Sequence, residues 1–181
     1  MASVCVFCGS QGGVHPSHTE AARQLGAGLA TTGHTLIYGG GGTGMMGAIA
    51  DAMLERRGKV IGVIPEALAN VEMMHPGVAD MRVVSDMHVR KRTMHDLADC
   101  YIALPGGYGT MEELFEALCW AQLNFHSAPI ALLNIEGVYD GLLQLMSEMV
   151  QHGFLQEQHL RLLTAMTSVR EVSEWITHQA G

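Results

Sequence analysis

Two short stretches carry residue types suited to chemistry on an anionic ligand. Pro105-Gly106-Gly107-Tyr108-Gly109-Thr110 leaves an apolar, strand-like run at 101–104 and feeds an amphipathic pattern that opens with Glu112 and Glu113. Three glycines ahead of a helix leave backbone N–H groups unpaired at the positive end of its dipole, an arrangement that suits a phosphate. Thr110 and Glu113 also have capping-box spacing, in which Thr110 caps the helix and Glu113 reaches back to its backbone. Two carboxylates beside an anion cradle repel the anion, so the functional reading is preferred: one of them has chemical work to do. The second stretch is Arg90-Lys91-Arg92, the only three adjacent basic residues in the chain. Alone it reads as a solvated charge run. Beside a cradle it is the local cationic partner that an anionic ligand needs in a chain of formal charge -8.

A third stretch, Gly39-Gly40-Gly41-Gly42-Thr43-Gly44-Met45-Met46-Gly47, contains a G-x-G-x-x-G at Gly42, Gly44 and Gly47. A dinucleotide oxidoreductase is the rival reading that rests on it. The run follows the second expected strand and not the first, and no acidic residue ends that strand to hold a ribose. A tight turn with close helix packing accounts for the glycines as well as a ligand does. The ten histidines show no metal-ligand spacing, and no metal site is expected. The thirteen methionines suit adaptable packing, with Met87 and Met94 as candidates to line a base pocket. Trp120 and Phe125 are candidates for the core or for a dimer interface. Cys5 and Cys8 have C-x-x-C spacing inside an apolar run and read as core thiols.

The elements that must position these residues follow from periodicity. Short apolar, β-branched runs at 4–8, 35–38, 60–64, 81–84, 101–104, 130–134 and 162–165 alternate with helical patterns at 17–30, 44–57, 86–99, 111–124, 139–152 and 169–178. This alternation predicts an α/β fold, a doubly wound parallel sheet flanked by helices, in a single domain over 1–181. Ligands of such sheets collect beyond the carboxyl ends of strands, which directs attention to the loops at 8–13, 39–44 and 105–110. The net charge disfavours a nucleic-acid or acidic-membrane binder, since those need broad basic surfaces. The chain opens without a basic n-region or a long apolar run, so a cytoplasmic protein is the default expectation.

At this point the motifs resemble those of a known family. Pro105-Gly106-Gly107-Tyr108-Gly109-Thr110-Met111-Glu112-Glu113 is similar to the P-G-G-x-G-T-x-x-E signature of the LOG phosphoribohydrolases, long mislabelled as lysine decarboxylases. Met87-His88-Val89-Arg90-Lys91-Arg92-Thr93-Met94 resembles their M-x-x-R-K-x-x-M segment, and Val6-Phe7-Cys8-Gly9-Ser10 and Tyr38-Gly39-Gly40 also fit. The resemblance implies a modified Rossmann fold, a homodimer or larger assembly, and hydrolysis of N6-modified adenosine monophosphates or plain AMP to free base and ribose 5-phosphate, without a cofactor. Carried across by position, it implies Arg90 and Glu113 as catalytic residues. It implies Glu72, Lys91, Gly106, Gly107, Tyr108, Gly109, Thr110 and Glu112 as substrate contacts. Cys119 stands where plant members often carry threonine. A decarboxylase using pyridoxal phosphate needs a Schiff-base lysine. The chain offers only Lys59, at the start of a strand, and Lys91, in the cationic cluster. A non-catalytic nucleotide or cofactor carrier of related fold is the remaining alternative.

Overall fold

The apolar runs form seven strands: β1 (Ser3–Phe7), β2 (Thr35–Tyr38), β3 (Lys59–Pro65), β4 (Asp80–Val84), β5 (Cys100–Ala103), β6 (Ile130–Leu133) and β7 (Leu163–Met166). Between them lie α1 (Pro16–Thr31), α2 (Gly44–Glu55), α3 (Met87–Leu97), α4 (Tyr108–Gln122), α5 (Asp140–Gln151), the short α6 (Glu157–Leu160) and α7 (Val169–Gln179). The computed structural model describes residues 1–69 and 73–179, so Glu72 lies outside the described residues. All pairings are parallel, in the order β4-β3-β2-β1-β5-β6-β7. None of the described helices is long and apolar enough to cross a membrane.

The period of two along β1 sorts its side chains between two cores. Val4, Val6 and Cys8 pack with Leu25, Ile49 and Ile176 from α1, α2 and α7. Cys5 and Phe7 face the other way, against Met94, Leu114 and Met146 from α3, α4 and α5. Helices therefore cover both faces, as expected for strands that read as continuous apolar runs. The two cysteines of the C-x-x-C spacing are free thiols committed to opposite cores. Met94, a candidate for a base pocket, is instead almost fully buried in the second core, because it lies on the face of α3 turned to the sheet.

Winding proceeds outward from β1 through β2 and β3 to β4, then returns to place β5 on the other side of β1. The loops leaving β1 and β5 diverge to opposite faces, and a crevice opens beyond their carboxyl ends. The Gly9 amide donates to the Pro105 carbonyl at 3.1 Å, tying the two loops together at its base.

Two alternative local readings are set aside. Helix α4 starts at Tyr108, with Gly107 at the N-cap and no side-chain cap. Thr110 is thus already inside the first turn, and the capping box is not formed. The G-x-G-x-x-G amides are also taken up within the chain. Gly42 donates to the Met73 carbonyl at 2.9 Å, Met45 and Met46 to Gly9 at 3.2 and 3.3 Å, and Gly47 to Thr43 at 3.0 Å. A Cβ on Gly44, which has φ +60°, would run into the Ser10 carbonyl. These glycines serve close backbone packing, and the dinucleotide reading loses its basis.

Candidate active site

A cavity of about 310 Å³ occupies the crevice. Gly107, Tyr108, Gly109 and Thr110 form one wall, and Met46, Ile64, Met73 and Met87 form an apolar wall. Arg90 and Glu113 also line it. Helix geometry leaves the amides of Tyr108, Gly109 and Thr110 without intrahelical acceptors. A Cβ on Gly107 or Gly109 would meet nothing within 4 Å, so packing within the chain does not demand glycine there. Both features leave backbone open to a ligand. Gly106 lies behind this wall: the Thr110 hydroxyl occupies the place its Cβ would take. Gly106 faces an adjoining cavity that contains Pro105 and His18.

Arg90 is presented by the first turn of α3. That helix is started by Asp86, whose carboxylate accepts from the amides of His88 and Val89 at 2.8 and 2.9 Å. The Arg90 Nε donates to the Val63 carbonyl near the end of β3 at 3.1 Å, and its Nη1 donates to Glu113 Oε1 at 2.7 Å. Gly39 makes room for the guanidinium, since a Cβ there would collide with Nη2. Arg90 is 9% exposed and Glu113 7%, so a charged pair faces the cavity from a largely dry surrounding. Burial pushes the Glu113 carboxyl above the usual glutamate range, against the opposing pull of Arg90. Among the described residues none donates to Glu113 Oε2, which leaves one carboxylate oxygen for a ligand.

Lys91 and Glu112 do not line this cavity. Consecutive helical residues project about 100° apart. If Arg90 and Glu113 turn inward, their neighbours cannot. The Lys91 ammonium instead pairs with Glu112 and, at 2.6 Å, with Glu116. Glu116 reaches on to His95 at 3.4 Å. Among residues not predicted as site residues, Ser10, Leu68, Met46 and Met73 join the wall. The usable signal for Ser10 was its place just after a strand. The methionines gave none, because an apolar wall and an apolar core use the same residues.

Residues 46–176 match the profile of a family described as "Possible lysine decarboxylase". A probable cytokinin riboside 5′-monophosphate phosphoribohydrolase of Oryza sativa subsp. japonica is 44% identical over 169 residues, covering 93% of this chain and 76% of that protein. A cytokinin riboside 5′-monophosphate phosphoribohydrolase of Arabidopsis thaliana is 43% identical, covering 93% and 78%. Among solved structures, a molybdenum cofactor binding protein of Rippkaea orientalis superposes with a TM-score of 0.76 at 21% identity, over 100% of this chain and 99% of that one. A molybdenum cofactor carrier of Chlamydomonas reinhardtii gives 0.74 at 19% identity, over 99% and 97%. These structural likenesses show the shared fold. Fold, paired motifs and sequence identity together establish that the chain belongs to the LOG family of phosphoribohydrolases. The residues do not fit the pyridoxal phosphate that the word decarboxylase implies. Lys59 is exposed at the start of β3, the end of the strand remote from the crevice, and Lys91 is held by two carboxylates.

Removing one member of a buried ion pair strands the other. Arg90→Ala should lower the unfolding free energy by about 3–5 kcal/mol in urea denaturation, and adding Glu113→Gln should recover a substantial part of it. Equal stability of Arg90→Ala and of the double variant that combines it with Glu113→Gln would show that the carboxylate left without Arg90 carries no burial penalty.

Proposed function

We propose that this chain hydrolyses the N-glycosidic bond of a nucleoside 5′-monophosphate, N6-modified AMP or plain AMP, releasing free base and ribose 5-phosphate. The observation that carries the reading is the Glu113 carboxylate, buried, oriented by Arg90 at 2.7 Å, and sharing a cavity with the amide-rich start of α4. The amides of Tyr108, Gly109 and Thr110, with Gly107 at the cap, receive the phosphate at the positive end of the helix. Phosphate held there places the ribose across Arg90 and Glu113 and the base against Met46, Met73 and Met87. Glu72 is a further substrate contact on the strength of the family match alone. Lys91, Glu112 and Gly106 then act behind the contact surface, by holding α3 to α4 and seating Thr110.

Cleavage builds positive charge on the ribosyl ring as the C1′–N bond breaks and its electron pair leaves with the base. A carboxylate beside C1′ stabilises that charge more than it stabilises the neutral ground state, which is the condition for catalysis. Water supplies the new C1′–O bond, and its proton balances the charge of the departing base. Glu113 Oε2 is the acceptor available to orient that water. Arg90 keeps Glu113 ionised and in place through a charge-assisted bond.

The reading includes one domain, a cytoplasmic location and a homodimer or larger homo-oligomer. Four free thiols suit a reducing compartment. Phe115, Leu123 and Phe125 on and after α4 are 37, 55 and 72% exposed, an apolar surface that a second copy would cover. The carrier alternative shares the fold but gives no task to a buried carboxylate facing the ligand.

Incubation with AMP, N6-isopentenyl AMP and the matching nucleosides tests the proposal. Free base should appear from the monophosphates, and adenosine should be turned over at least about a hundredfold less well, because it forfeits the binding energy of the cradle. Equal rates with and without phosphate would remove the cradle, and tight binding without any base release would favour the carrier. Glu113→Gln should fold and bind AMP but lose about a hundred- to a thousandfold in turnover. Activity needs the carboxylate, and burial raises its pKa, so kcat/KM should fall with decreasing pH already above the ordinary glutamate value of about 4.3. A flat profile down to that value would contradict the assignment.

A further inference from the structure

The segment 73–78 between β3 and β4 has no strand or helix of its own, yet it supplies Met73 to the cavity wall. Its backbone is laid along the glycine run that follows β2. The Gly42 amide donates to the Met73 carbonyl at 2.9 Å and the His75 amide to the Gly40 carbonyl at 3.0 Å, and these two bonds pair Gly41 with Met74 in an antiparallel bridge. A Cβ on Gly42 would sit 3.1 Å from the His75 Cα, so the close approach depends on glycine. The two hydrogen bonds of the bridge set the register of the segment on the glycine strip, and Val78 at its far end is buried in the first core.

The side chain of His75 adds an anchor to α2. It is buried at 7% exposure, and both ring nitrogens are engaged. The Gly77 amide donates to Nδ1 at 3.1 Å, and Nε2 lies 3.1 Å from Asp51 Oδ1 on α2. An amide can only donate, so Nδ1 must accept and the ring hydrogen sits on Nε2, where it donates to the Asp51 carboxylate. One imidazole thus ties the turn at Gly77 to the side of α2, the same helix that contributes Met46 to the cavity wall. Asp51 is 52% exposed and does not line the cavity.

We propose that His75 and Asp51 form a positioning clamp that holds Met73 against the base end of the nucleotide cavity, so that the clamp sets affinity for the base while leaving the phosphate end and the chemical step untouched. This rests on the nucleotide reading of the cavity. The clamp lies on the β2–β3–α2 side, whereas the cradle and Glu113 belong to α4, on the other side of the crevice.

Asp51→Ala is the informative variant, because the position is half exposed on a helix and alanine favours the helix. With AMP as substrate, KM should rise about tenfold, the scale of a lost hydrogen bond to a charged group, with kcat within about twofold of wild type. Inhibition by ribose 5-phosphate, which has no base, should stay within about twofold in the same variant. Asp51→Asn keeps an acceptor for Nε2 and should restore KM to within about threefold. Amide exchange of residues 73–78 without nucleotide should be faster in Asp51→Ala than in wild type or Asp51→Asn. An unchanged KM in Asp51→Ala, a parallel loss of ribose 5-phosphate binding, or Asp51→Asn as impaired as Asp51→Ala would overturn the proposal. Should the wild-type chain not cleave AMP at all, the nucleotide reading fails by itself. The exchange measurement still judges the clamp, which falls if Asp51→Ala protects 73–78 as wild type does.

Discussion

A buried charge pair facing a cavity is the constraint around which this molecule is arranged. Arg90 and Glu113 come from different helices, lie 23 residues apart in the chain, and meet at 2.7 Å with about nine-tenths of each hidden from water. Desolvating two charges costs several kcal/mol per ion unless geometry and further hydrogen bonds repay it. The surroundings supply both. The Val63 carbonyl takes Nε, Gly39 clears space for Nη2, and Asp86 starts α3 so that Arg90 falls in its first turn on the inward side. The sheet order explains why these pieces converge. Gly39 follows β2 and Val63 lies near the end of the neighbouring β3, and α4 leaves β5 on the far side of β1, so these segments meet at one crevice.

The same constraint separates residues that are adjacent in sequence. Arg90 and Lys91 look equivalent in a basic run, as do Glu112 and Glu113 in an acidic pair. The helical turn between neighbours sends one of each inward and the other to the α3–α4 seam, where Lys91 gathers Glu112 and Glu116 and Glu116 reaches His95. The inner pair faces the cavity and the outer group braces the helices that carry it. In the proposed reaction this division matters, because a carboxylate that must sit within contact distance of a ribosyl carbon tolerates little movement of its helix.

Much of this was legible in the residues. The seven apolar runs became the seven strands, and six helical patterns end within three residues of their observed bounds, because strands buried on both faces and amphipathic helices leave strong periodic signals. The glycines ahead of a helix pointed to the loop that forms one wall of the cavity. What sequence could not display was competition for the same groups. The Thr110 and Glu113 spacing satisfies a capping rule, but the helix starts three residues earlier and Arg90 takes the carboxylate. The G-x-G-x-x-G satisfies a phosphate rule, but Met73, Gly9 and Thr43 carbonyls occupy its amides. The short α6 is only four residues long and left no periodic signal. In the first two cases a local pattern with two physical uses was resolved by a partner elsewhere in the chain.

A crystal structure of the Glu113→Gln variant with bound AMP tests the central claim most directly, since the slowed variant holds intact substrate in place. The account predicts phosphate oxygens about 3 Å from the amides of Tyr108, Gly109 and Thr110, with the side chain at position 113 and Arg90 beside C1′ and the base against the methionine wall. Phosphate bound elsewhere, or C1′ turned away from position 113 by more than the reach of one bridging water, would contradict it.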